Sequence, residues 1–92
     1  MVERRTLVEW EEAMGRQVRD LRTRDGLTQA ELARRANVSV GTIRNLESGA
    51  GSTLSTLIEV VRALGRTEWL EALTPPITVS PLELLDERLR RP

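Results

Sequence analysis

"GLTQAELARRANVSVGTIRNLESG", residues 26–49, contains two short runs of apolar residues at helical spacing with a turn signal between them. Thr28 can open the first run by accepting from the amide three residues on, and Glu31 stands where its side chain can return a bond to the Thr28 amide. The run extends to about Ala36, because Asn37 tolerates the left-handed backbone that ends a helix. Ser39 then caps a second run through Glu47, which Gly49 terminates. Leu32, Ala33, Val38, Ile43 and Leu46 fall at the inward positions, and the small Ala33 lets the two axes approach closely. The stretch therefore predicts two short helices packed about a tight turn, with the second helix presenting its other face outward.

On its N-terminal side, Leu7, Trp10, Met14, Val18 and Leu21 recur every three or four residues, predicting an apolar stripe on a helix from about Thr6 to Arg24. Thr6 and Glu9 supply a second capping box and Gly26 a stop. On the C-terminal side, Thr53 caps a helix with a stripe of Leu54, Leu57, Ile58, Val61 and Leu64, ending at Gly65. Thr67 caps a short fifth helix, "EWLEAL", which Pro75-Pro76 ends. Beyond it, "ITV" at residues 77–79 reads as a strand too short to stand alone. Two placements are open for it: pairing with the same segment of a twofold-related subunit, or lying as an extended tail on its own domain. The expected organisation is an all-α, five-helix domain over residues 1–74 with its motif at 28–47. A C-terminal extension over 75–92 would carry the strand and a charged tail.

A chain of 92 residues forms one small domain. It has no cysteine, which removes disulfides, thiolate nucleophiles and thiolate metal sites. It has no histidine, the commonest general base and metal ligand, so an enzyme is not expected and neither a metal nor another cofactor is called for. No apolar run approaches a membrane span or a secretory h-region, which points to a cytoplasmic protein with no membrane partner. Formal charge sums to zero, yet residues 16–44 hold seven arginines against three acids, a net of +4, between flanks of −2 each. Every basic residue is arginine, a side chain suited to bidentate phosphate and guanine contacts. The central stretch thus unites a helix pair with the basic segment of the chain, the footprint of a nucleic-acid-binding surface.

The same residues resemble the phage-repressor-like, XRE or Cro-type, helix-turn-helix family. Its signature is present as Leu27-Thr28-Gln29, Glu31-Leu32-Ala33, Val38-Ser39, Ile43 and Leu46-Glu47-Ser48-Gly49. The stretch "GSTLSTLIEVVRALG" and the tail "PPITVSPLELL" look more like HipB-like antitoxins than free-standing phage repressors. The resemblance implies a lambda-repressor-like fold and a homodimeric repressor of a palindromic operator in double-stranded DNA, in a bacterial, nucleoid-associated setting. It further implies an autorepressing antitoxin that holds a kinase-like toxin. By the same resemblance Gln29 contacts a phosphate, with Thr28, Arg19, Arg35, Ser52 and Thr53 nearby, and Arg22 and Glu47 form a structural ion pair. Trp69, Leu73, Ile77, Val79 and Leu82 would serve dimerisation.

Ser39, Val40, Gly41, Thr42, Arg44 and Asn45 occupy or border the positions that the family points at base edges. Val40 can pack on a thymine methyl, and Gly41 allows close approach. Ser39 and Thr42 can donate or accept and so discriminate weakly. Arg44 and Asn45 have the reach for guanine and adenine, and Arg44 is the strongest candidate for base choice. "GAGST", residues 49–53, has the look of a phosphate-cradling loop, but a P-loop needs a lysine and the chain has none. Its amides, with Ser52 and Thr53, suit a DNA phosphate instead. The competing expectation is a protein-interaction module that keeps the fold but reads DNA poorly, consistent with zero net charge.

Overall fold

Five helices make up the computed structural model, which describes residues 4–76 and 88–89: α1 (Leu7–Arg24), α2 (Gln29–Ala36), α3 (Val40–Ser48), α4 (Leu54–Ala63) and α5 (Thr67–Leu73). Every regular element among the described residues is helical, as the periodicity requires. None of these helices is long and apolar enough to cross a membrane. The expected strand at 77–79, with Ile77, Val79 and Leu82, lies outside the described residues.

Side-chain caps set four of the five starts. The hydroxyls of Thr6, Thr28, Ser39 and Thr53 accept from the amides of Glu9, Glu31, Thr42 and Thr56 at 3.0–3.1 Å. Thr6–Glu9 and Thr28–Glu31 complete capping boxes. Asn37 ends α2 in the left-handed conformation, φ 57° and ψ 44°, and the Val38 amide donates to the Ala33 carbonyl at 2.9 Å. The fifth start differs from expectation: Arg66 is the N-cap, without a side-chain bond, and Thr67 is the first helical residue. Gly65 takes a positive φ of 70°, which turns the chain sharply enough for α5 to begin one residue early.

The core draws Val18 and Leu21 from α1, Leu32, Ala33 and Ala36 from α2, Ile43 and Leu46 from α3, Val60 from α4 and Leu64 from its end. Helix α1 packs on α3, α2 on both α3 and α4, and α5 on α4. Val18, Leu32, Ile43, Val60 and Val61 have at most 2 % of their surface exposed, each worth about 1.5–3 kcal/mol on burial. The α4 stripe is Leu57, Val60, Val61 and Leu64, which keeps three of the expected positions and brings in Val60 in place of Leu54 and Ile58. Val60 is fully buried, Ile58 only half-buried and Leu54 73 % exposed. Positions at steps of three, four and seven from Leu57 share one face of α4, which packs on α2; Leu54 shares it but is the first residue of the helix, and Ile58 falls at its edge.

The α1 stripe is likewise buried only in its second half. Leu7, Val8, Trp10 and Met14 are exposed, at 75, 57, 42 and 40 %. The first turns of α1 run past the end of α3, where Glu12 abuts Gly49. Further along, Gly15 is buried where α1 crosses α3. A Cβ there would collide with the Leu46 carbonyl oxygen and stand 2.8 Å from that of Glu47. Only the missing side chain allows this approach, and periodicity gives no sign of it.

Gly15→Ala is expected to destabilise the fold by about 1–3 kcal/mol through overpacking. Gly41→Ala, where a Cβ meets nothing nearer than the Ser39 hydroxyl at 3.8 Å, should stabilise it by about 0.5–1 kcal/mol. Urea midpoints of the two variants check this, and equal shifts would show that close approach is not what Gly15 supplies. The Thr28 backbone amide and hydroxyl hold the Glu31 carboxyl below the usual carboxylate range. A lowered pKa in the folded state contributes stability above the unfolded value and loses it as pH falls through the folded one. Glu31→Gln should therefore lose less stability than the wild type on acidification, as read from urea midpoints at neutral and acid pH.

Candidate nucleic-acid interface

Burial of Ile43, Leu46 and Glu47 fixes which face of α3 points inward. Val40 and Thr42 are half-buried at its edges, and Gly41, Arg44, Asn45 and Ser48 are exposed. Gly41, Asn45 and Ser48 follow one another at steps of four and three, so they share the outermost line of the helix. Open space surrounds Gly41. The fold itself does not ask for a glycine at that position.

The inward face is held by charge as well as by apolar packing. Arg22 donates from Nε to Glu47 Oε2 at 2.6 Å, from Nη2 to Oε1 at 3.1 Å and from Nη1 to the Leu27 carbonyl at 2.8 Å. Gln29 Nε2 donates to the same Glu47 Oε1 at 3.1 Å. No buried side-chain nitrogen or oxygen among the described residues lacks a partner. The expected Arg22–Glu47 pair is thus bidentate and buried, and it joins α1, the start of α2 and the end of α3. The Gln29 link to it was not foreseen, because nothing in the order of residues shows that the first turn of α2 and the last turn of α3 lie side by side.

Arg19, Arg22, Gln29, Arg44, Glu47 and Ser48 line one surface depression beside α3. It gathers two expected phosphate contacts, Arg19 and Gln29, with Arg44, which sequence placed among the base readers. Ser48 was not singled out at all; its spacing of seven from Gly41 and four from Arg44 was the available signal. Arg35 is exposed on α2 outside this depression, and Ser52 and Thr53 line a separate apolar groove with Met14, Leu54 and Leu57. The expected hydroxyls are partly engaged within the fold: Thr28, Ser39 and Thr53 act as caps, and Ser39 and Thr42 share a 2.7 Å bond. Trp69 is half-buried against the core of its own chain, while Leu73 is 72 % exposed.

Removing one half of the buried pair leaves the other charge uncompensated. Glu47→Ala is expected to cost about 3–5 kcal/mol, and replacing both residues with apolar ones, Arg22→Met with Glu47→Leu, to cost less than that single change. Urea denaturation of the three proteins checks the order; a costlier double variant would mean that the pair is held for net stability.

None of the curated proteins compared with the chain matches it. A helix-turn-helix family model matches residues 18–70, more than half of the chain, from the middle of α1 into α5. With α2 and α3 packed about the Asn37 turn and α3 exposing one face, the chain belongs to the XRE-type helix-turn-helix family of DNA-binding regulators.

Proposed function

We propose that this regulator is a repressor that binds a palindromic operator as a homodimer, and that it is the autorepressing antitoxin of a HipBA-like pair. What carries the DNA-reading part is the setting of α3. Its exposed line of Gly41, Asn45 and Ser48 is held in register by the buried Glu47 and flanked by Arg19 and Arg44. In the major groove Val40 meets a thymine methyl, Gly41 gives closeness, Asn45 pairs with adenine, and Ser39 and Thr42 make weaker polar contacts. Thr28, Gln29, Arg19, Arg35, Ser52 and Thr53 supply phosphate contacts, which set position and affinity rather than base choice.

A helix with so few long polar side chains reads a short half-site, and a twofold pair doubles the length read. Leu73 and Trp69 of α5 lie toward the C-terminal end of the helical body, and with Ile77, Val79 and Leu82 of the extension they form the proposed dimer surface. A protein-interaction role, toxin-neutralising or bridging, is favoured by one specific observation. Leu7, Trp10, Met14 and Leu54 leave apolar surface uncovered on the side of α1 and the start of α4.

Selection from a randomised duplex pool is expected to return a palindrome with half-sites about one helical turn, roughly 34 Å, apart. Gln29→Ala should weaken binding to all selected sequences nearly equally; a loss confined to one base pair would remove its phosphate role. A pool that returns no preferred sequence at two salt concentrations favours the interaction module. Retention of the adjacent gene's product on the tagged chain tests the antitoxin assignment separately.

A further inference from the structure

Arg44 lies three residues before Glu47 and four after Val40, on the edge of α3 that faces α1 and the first turn of α2. Asn45, one position on, belongs to the outer line instead. The side chain of Arg44 lines the depression together with Arg19 of α1 and Gln29 of α2. A guanidinium that reads guanine donates to O6 and N7 on the floor of the major groove. One directed along the edge of α3 faces the DNA backbone that flanks the groove, across which the preceding helix is laid.

The charges of the depression point the same way. Arg22 and Glu47 neutralise each other, and both Glu47 oxygens are engaged by donors from Arg22 and Gln29. Among the described residues neither Arg19 nor Arg44 has a carboxylate partner. The Gln29 amide spends one N–H on Glu47 and keeps a second. Two like-charged guanidiniums and an amide N–H therefore surround one hollow with donors and leave its only carboxylate occupied. An oxyanion offsets the two positive charges and accepts from all three donors; a guanine edge also accepts, through N7 and O6, but it is neutral and leaves the repulsion between Arg19 and Arg44 in place.

We propose that Arg44 is a clamp on a DNA backbone phosphate, shared with Arg19 and Gln29, in place of the base contact that its position in the sequence suggests. This rests on the DNA-reading assignment above. Base choice then falls to Asn45 and Val40, and Gln29 is positioned for the phosphate by Glu47.

The test uses the full chain and the duplex selected from the pool, together with single-base-pair variants of it. Arg44→Ala is expected to lower affinity about tenfold per subunit for every duplex alike, and to make the dependence of log K on log salt shallower by about one per bound subunit. Arg44→Lys should recover the salt slope, since a point charge serves a phosphate but not bidentate guanine recognition. Asn45→Ala, by contrast, should change the ranking at a single base pair. Arg44 is exposed, so unchanged urea midpoints are expected to accompany these effects. A loss at one base pair with the slope unchanged overturns the proposal, as does failure of Arg44→Lys to recover the slope. The slope is also measurable on arbitrary duplex DNA. A wild-type protein without a preferred sequence would thus remove the operator assignment while leaving the phosphate clamp to be decided by the same slope.

Discussion

The guanidinium of Arg22 meets the carboxylate of Glu47 in a buried, bidentate pair, and the orientation of α3 depends on it. Withdrawing two ions from water costs several kcal/mol each unless geometry and further hydrogen bonds compensate. Here the Leu27 carbonyl and the Gln29 amide add further hydrogen bonds, one to each partner. The pair is therefore a specific joint between three segments of the chain. It couples α1, the entrance of α2 and the end of α3, so α3 cannot rotate about its axis without exposing an unpaired charge.

Backbone proximity complements this joint. At Gly15, α1 lies directly on the last carbonyls of α3, and Gly49 closes α3 with a left-handed turn against Glu12. A side chain at Gly15 would push the two helices apart. The charge pair and the close crossing act at neighbouring points of one interface, and together they fix both the distance and the rotation of α3. Apolar burial of Ile43 and Leu46 alone would fix only which side faces inward.

The polar groups of the interface divide into those used by the fold and those left over. Thr28, Ser39 and Thr53 hold helix starts, so their hydroxyls serve the fold as caps. Asn45, Arg19 and Arg44 have no comparable duty, and they remain exposed around α3. Capping places short polar residues, Ser39 and Thr42, at the start of α3, and the longer Arg44 and Asn45 follow later in the helix. That is why the first turn of α3 looks poor in hydrogen-bonding reach.

Much of the helical layout was legible from residue order, because caps, left-handed stops and apolar spacing act over a few residues. Thr28–Glu31, Asn37, Ser39 and Gly49 marked the motif, and the structure keeps each of them. The Arg22–Glu47 pair was legible only through resemblance. The exposed half of the α1 stripe, the central place of Val60 and the demand for glycine at position 15 were not legible, since each depends on where another helix ends or crosses. The same holds for the company Arg44 keeps: order makes it a neighbour of Asn45, but the packing of α1 and α2 against α3 sets it beside Arg19 and Gln29. Local hydrogen bonding and periodicity determined the elements; only the tertiary structure decided which charges share a hollow, because that depends on the meeting of segments distant in the chain.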